Sequence, residues 1–223
     1  MRKRIKLADR VLPDYCTGEE IMNMVTHIVG GGLGVIALVM SIIKAWGRGW
    51  LDMTAVILYG VSMIALYTMS SVYHGLRPGT GKKVLQILDH CTIYVLIAGT
   101  YTPIVLCAML PVYPVLAWVV FGIQWGCAAL AITLTAIDLK AYNTFSMILY
   151  IAMGWCIIFA APQLMACVGT ACFGWILAGG IAYTIGAVLY GIGSKKRWMH
   201  SVFHIFVVIG SMCHAWAIYQ YVL

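Results

Sequence analysis

The chain has 223 residues, 63% of them hydrophobic and 9% charged, with a formal net charge of +7. A soluble domain of this length carries roughly a quarter charged residues, and no soluble fold hides this much apolar surface. Composition therefore excludes a water-soluble globular protein and makes lipid the solvent for most of the chain. In lipid, only helices and closed barrels satisfy the backbone. Barrel strands alternate polar and apolar positions over about ten residues, and runs such as IVGGGLGVIALVMSII do not alternate. The expected class is an all-α membrane protein.

Residues 1–18 form a basic segment with Arg2, Lys3, Arg4, Lys6 and Arg10. No short apolar stretch with a small-residue cleavage site follows it, so it does not read as a signal peptide. Residues 19–223 read as a single transmembrane domain. A spanning helix needs ~20 apolar residues, and seven such spans are expected, at about 22–45, 53–75, 87–109, 112–136, 142–161, 173–192 and 200–222. Thr17 and Glu20 have the capping-box spacing for the first helix. Pro103, Pro111, Pro114 and Pro162 fall near span ends, where a missing N–H costs little. The face of span one carries Glu20, Asn23, His27, Gly31 and Gly34, and its glycines suit close helix approach.

Orientation follows from Lys and Arg. The N-terminal segment, Arg77, Lys82, Lys83, Lys140, Lys195, Lys196 and Arg197 fall on one side, against Lys44 and Arg48 on the other. The expected arrangement is a seven-transmembrane helix bundle with the N-terminus cytoplasmic and the C-terminus outside, in the cell membrane. The basic charge reads as topology plus contact with anionic lipid head groups, and no nucleic-acid partner is expected. Of the eight cysteines, Cys91, Cys107, Cys127, Cys156 and Cys213 sit in apolar blocks, where cysteine acts as a small hydrophobe. Cys167 and Cys172 share a loop and would pair only in an oxidising compartment.

The histidines carry the chemical signal. There are six in the chain, and this topology places His27, His74, His90, His200 and His204 at the cytoplasmic face, on four helices. His200 and His204 are one turn apart, the spacing by which two imidazoles on one helix bind a single metal. His74 ends span two at the same depth and supplies a third ligand, the set of a catalytic zinc site with an open position. Asp89 is placed to orient a bound water or take its proton. Ser70, one turn from His74, is placed to hydrogen-bond that water or a carbonyl. His27 and His90 read as packing residues bonded to Glu20, Asn23 or neighbouring loops. His214 shares the inward stripe of His200, His204 and Ser211, but helix rise puts it about 15 Å deeper, too far to join the ligands. Interfacial hydrogen bonding of each histidine to lipid phosphate or backbone is the alternative to a metal.

The same residues resemble a known family. EEIMNMVTHIVG at 19–30, SSVYH at 70–74, DHCTIYVLIAGTYTP at 89–103, YIAMGW at 150–155 and HSVFHIFVVIGSMCH at 200–214 resemble the bacterial hemolysin III family. That family lies within the progestin and adipoQ receptor superfamily, which includes the adiponectin receptors. The resemblance implies a seven-helix bundle with the N-terminus inside. It implies zinc held at the positions of His74, His200 and His204, accompanied by Ser70 and Asp89. The extended N-terminal domain of the animal receptors has no counterpart here, so no protein-hormone partner is expected.

Three functions compete. The first is a zinc-dependent intramembrane hydrolase of amide or ester lipids, with Asp89 as base and Ser70 as donor. The resemblance supports a ceramide-like substrate through the family's kinship with alkaline ceramidases. The second is a non-enzymatic regulator or sensor of membrane lipid state, with zinc as a structural staple. The third is a pore-forming cytolysin, as the family name suggests, although no charged stripe crosses the spans. Membrane lipids are the expected substrates or ligands in the first two, and oligomeric state is left open.

Overall fold

The computed structural model describes residues 6–193 and 196–223. Arg2, Lys3, Arg4 and Lys195, which entered the charge reading, lie outside the described residues. The described residues form α1 (Thr17–Ala45), α2 (Trp50–Gly75), α3 (Thr80–Pro103), α4 (Pro114–Ile137), α5 (Asn143–Trp155), α6 (Ala161–Gly193) and α7 (Met199–Ala217). A π-helical turn, Ile104–Met109, prolongs α3, and another, Ile218–Val222, prolongs α7; a 3₁₀ turn, Cys156–Ala160, joins α5 to α6. Among the described residues there is no strand.

Among the described residues, six stretches are long and apolar enough to cross a membrane. Five correspond to α1, α2, α3 with its π turn, α4, and α7 with its π turn; the sixth runs 51 residues from Asn143 to Gly193. Backbone continuity within it is broken at Gly169, whose φ of 79° lies in the region that favours glycine. The outward faces are apolar: Ile36, Val119, Leu130 and Val188 each stand about half exposed or more. With no water in the hydrocarbon core, such a surface is what lipid contact requires. The chain is a multi-pass cell-membrane protein.

Several local expectations need correction. Helix α1 is capped one residue earlier than the Thr17–Glu20 pair: the Cys16 backbone N–H donates to Glu19 Oε2 at 2.9 Å. Glu20 is unavailable for capping because tertiary partners hold it, as described below. Helix α3 begins at Thr80 rather than 87 and passes through Pro103. The lost N–H is accommodated because the helix widens into the π turn directly after it. Pro114 does open α4, where its missing N–H is harmless. Cys167 and Cys172 are free thiols. Cys172 is fully buried against α7, its thiol facing the Ala217 carbonyl.

The core joins Tyr59, Met63 and Tyr67 of α2 to Val105 and Met109 of the π turn, Leu164 and Ile176 of α6, and Val207 and Ala215 of α7. α1 packs on α2, α6 on α7 and α2 on α3, and α1 also reaches α7. Small residues set the approach of these helices. The glycine that matters on α1 is Gly30: a Cβ there would lie 2.6 Å from the Tyr67 ring, whereas one on Gly31 would make ordinary contact at 3.6 Å. The inward face of α1 is therefore Glu19, Asn23, His27, Gly30 and Gly34.

The two ends of the bundle are chemically different. At one end lie the N-terminal segment, the close of α2 and the starts of α3 and α7; Tyr15 contacts both His74 and His200 there. At the other end, Lys44 donates to the Tyr219 carbonyl and Arg48 to the Leu223 and Val222 carbonyls, closing the last turn of the chain. His27, His74, His90, His200 and His204 and most of the described basic residues thus share one end, while Lys44 and Arg48 share the other.

Candidate metal centre

Helices α2 and α7 bring three imidazoles together. Ser70 and His74 are one turn apart on the last turns of α2, and both are buried. His200 and His204 are one turn apart at the start of α7, on its inward face with Val207 and Ser211. One ring nitrogen from each of His74, His200 and His204 lies within 4.8 Å of the others. His200 Nε2 and His204 Nε2 are 3.1 Å apart. A tetrahedral metal with M–N bonds of ~2.0–2.1 Å holds two nitrogens about 3.3 Å apart, so this pair already has a ligand spacing.

The hydrogen bonds outside the cluster orient the rings. The Nδ1–H of His204 donates to the Asn23 carbonyl of α1 at 3.2 Å, which leaves Nε2 with its lone pair toward His200. His74 Nδ1 lies 2.6 Å from Glu20 Oε2 and donates to that carboxylate. His74 Nε2 is buried and has no hydrogen-bond partner among the described residues. A buried polar nitrogen without a partner is costly, and a metal would satisfy it. Three neutral imidazoles with outer nitrogens held by a carboxylate and a carbonyl are the donor set expected of a metal site. The residues present fit a single ion such as zinc.

Ser70, Asp89, His200 and His204 line one cavity of about 160 Å³. Its other walls are mainly apolar, including Ile93 and Ile97 of α3 and Met147 and Ile151 of α5. A single water needs only ~10–15 Å³ of such space, so the cavity has room for several waters or a chain of carbon atoms. Ser70 and Asp89 stand together on the wall of this cavity. Asp89 Oδ2 is 3.8 Å from His90 Nδ1, and the Asp89 side chain is about 15% exposed. Asp89 therefore stands beside the imidazoles, facing the cavity, without belonging to the three-histidine cluster.

The remaining histidines divide. His90 bonds neither Glu20, Asn23 nor a loop: its Nδ1 lies on the Gln86 carbonyl of its own helix at 2.8 Å and its Nε2 3.4 Å from the Tyr190 hydroxyl of α6. His214 is apart from the cluster, its Nε2 on the Ile176 carbonyl at 3.0 Å. His27 departs from expectation. Neither Glu20 nor Asn23 bonds it, and both of its ring nitrogens lack partners among the described residues. Those two residues are engaged with His74 and His204 instead.

Sequence reasoning missed Tyr15, whose ring stacks on His200 with centroids 4.9 Å apart and covers the cluster. Burial pushes the Tyr15 hydroxyl well above its ordinary value, aided by nearby Tyr190 and Glu20, so it stays protonated. Nothing in its position, two residues before α1 begins at Thr17, signals this. It also missed Lys82, which lies 2.6 Å from Glu20 Oε1 and donates to the Leu76 carbonyl at 2.9 Å. Lys82 was read only as a topological charge.

Comparison with known proteins bears on this site. Residues 16–215 match the family model described as "Haemolysin-III related". The chain is similar to "Hemolysin-3 homolog" of Bacillus subtilis (strain 168), 38% identical over 195 residues that cover 86% of this chain and 89% of that protein. It is similar to "Hemolysin-3" of Bacillus cereus, 36% identical with 92% of each chain covered. A more distant likeness, 27% identical over 87% of this chain and 69% of the other, is to "ADIPOR-like receptor IZH2" of Saccharomyces cerevisiae. The matched range takes in Glu19 through Ala215, and with it the three-histidine cluster, Glu20, Asn23, Ser70, Lys82 and Asp89: this chain belongs to the haemolysin-III-related family.

Proposed function

We propose that the chain is a zinc-dependent intramembrane hydrolase of amide- or ester-linked lipids. The observation that carries this reading is the three-imidazole cluster of His74, His200 and His204, two of whose rings, His200 and His204, line a largely apolar cavity with Asp89 and Ser70 inside a membrane bundle. His74, His200 and His204 are the metal ligands. Zinc, when bound, supplies a Lewis acid for a carbonyl and lowers the pKa of a coordinated water toward ~7. Asp89 accepts the proton of the attacking water on its carboxylate and returns it to the leaving nitrogen or oxygen. Ser70 donates to that carboxylate and fixes its direction. Ile93, Ile97, Met147 and Ile151 receive the acyl chain and limit water near the reacting carbon.

The membrane arrangement belongs to the same proposal. A helix of 51 residues would run about 77 Å, more than twice the ~30 Å hydrocarbon thickness. The break at Gly169 lets the Asn143–Gly193 stretch cross twice, which gives seven crossings. The described basic residues at the histidine end favour a cytoplasmic site, an N-terminus inside and a C-terminus outside.

Two relatives carry "Hemolysin" in their names, which favours membrane lysis as a second reading. In this chain Tyr59, Met63, Tyr67 and Met109 fill the middle of the bundle, so a lytic pore requires a different arrangement of the helices. A non-enzymatic regulator, with zinc tying α2 to α7, shares the site but not the chemistry. The test is metal analysis of the purified protein, followed by lipid profiling of cells with and without it. Stoichiometric zinc and accumulation of one amide or ester lipid class in cells lacking the protein support hydrolysis. A protein that takes up no zinc, even after growth with added zinc, overturns it.

A further inference from the structure

Helix α1 offers none of the three imidazoles, yet its first two turns touch the elements that carry all of them. Glu19 Oε1 accepts the backbone N–H of Trp198 at 2.6 Å. Trp198 is the residue before α7 and has φ of 68°, a left-handed conformation that is strained for a bulky side chain. Such strain persists only where the surroundings over-determine it, and here the Glu19 carboxylate does so two residues before His200. Glu20 Oε2 takes the Nδ1–H of His74, and Glu20 Oε1 meets the ammonium of Lys82. Lys82 is buried, so its charge fixes the carboxylate that in turn fixes the ring. Asn23 completes the set with its carbonyl on His204 Nδ1. Its own amide nitrogen packs 3.4 Å from His74 Nδ1.

We propose that the Glu19–Asn23 segment of α1 is the positioning layer of the metal site, in which Glu20, held by Lys82, fixes the tautomer and direction of His74. Resting on the metal-site reading above, this assigns a role to the first motif of the chain. A carboxylate on Nδ1 leaves Nε2 free as the ligand atom and raises its basicity. Asn23 does the same for His204 through the backbone. Glu19 sets the start of α7 and so the height of His200. Glu20 touches neither substrate nor metal and acts through His74.

The test compares zinc affinity, by competition with a chromophoric chelator, and melting temperature without metal. Wild type, Glu20→Gln and the double variant E20A/K82M are purified in detergent. The double variant removes both charges together, so that the buried Lys82 is not left without its partner. Loss of an outer partner weakens metal binding about 10- to 100-fold. The double variant is expected at the upper end of that range, with its metal-free melting temperature close to wild type. Glu20→Gln keeps an oxygen acceptor for His74 without the charge and is expected at the lower end. Both variants within twofold of wild type overturn the inference, and Glu20→Gln alone decides it if the double variant does not fold. Wild-type protein that binds no zinc overturns the metal-site reading as well, so the two failures are distinguishable.

Discussion

The imidazole of His27 lies face to face on that of His204, with ring centroids 3.8 Å apart and planes 16° from parallel. The other face of the relationship is Tyr67, whose ring meets His27 edge-on at 5.0 Å. His27 therefore acts through its ring plane, packing on one face of the His204 ring while the Nε2 of His204 meets His200. Its nitrogens make no hydrogen bond, so an apolar ring of similar size removes two unsatisfied polar atoms at little cost.

His27→Phe is expected to retain zinc and to melt within a few degrees of wild type. His27→Ala opens a void beside His204 and should destabilise by about 1–3 kcal/mol, with weaker zinc retention. Elemental analysis and melting curves in detergent read both. Loss of zinc in His27→Phe would show that the His27 nitrogens take part in the site.

Packing of α1 on α2 gives a separate contrast between adjacent glycines. Tyr67 cannot swing away from Gly30, because its hydroxyl donates to Ser211 Oγ at 2.7 Å. Gly30→Val should therefore cost about 1–3 kcal/mol through overpacking. Gly31→Ala meets only ordinary contact and gains about 0.5–1 kcal/mol from helix preference. Thermal denaturation of the two variants should move in opposite directions. Equal destabilisation would mean that α1 is rotated from the face described.

Helix positions and the inward stripe of α7 were legible because lipid leaves the backbone few options and periodicity is strong. The triad was legible for the same reason: i, i+4 spacing brings His200 and His204 together without tertiary information. What surrounds the ligands was not. Glu20, Asn23 and His27 were read as one face, but spacing on one helix cannot say which neighbour each residue meets. Glu20 looked like a capping residue because the local motif was intact; a lysine 62 positions away and His74 compete for it and win. Tyr15 lies before any periodic segment, so its stacking on His200 has no signature in the sequence. The π turn after Pro103 was missed because proline predicts an end, and a widened turn was an equally good solution.

Topology gives a third prediction. Reporter fusions at Pro111 and Thr170 should be active outside, and fusions at Gly79 and Lys140 inside. Thr170 follows the Gly169 break, so it also tests whether the long Asn143–Gly193 stretch turns back at that point. An inside signal at Thr170 would remove one pair of crossings and the seven-helix count with it. An inside signal at Pro111 would reverse the orientation and put the histidine cluster outside.

The final prediction separates metal holding from chemistry. His74→Ala, His200→Ala and His204→Ala should each lose most bound zinc, because two imidazoles leave an ion open to competing ligands. Each should also lose the zinc-dependent part of its thermal stability, since binding to the folded state stabilises it by linkage. His214→Ala should keep its zinc: its ring is engaged with the Ile176 carbonyl on α6, apart from the cluster. Asp89→Asn keeps the shape of the side chain and an acceptor for Ser70, but no longer accepts a proton from water. It should retain zinc near the wild-type level while hydrolysis of any amide or ester lipid falls by 10²-fold or more, the usual contribution of a general base. The measurement is elemental analysis on all five variants, with release of fatty acid from lipid substrates in mixed micelles. Zinc lost equally from His214→Ala and His204→Ala would sink the depth assignment. Full zinc and undiminished turnover in Asp89→Asn would leave the cluster as a metal site but move the proton transfer to another group. Zinc without turnover in the wild type, across amide and ester lipids alike, would favour the regulator reading, in which the same three imidazoles serve as a staple between α2 and α7.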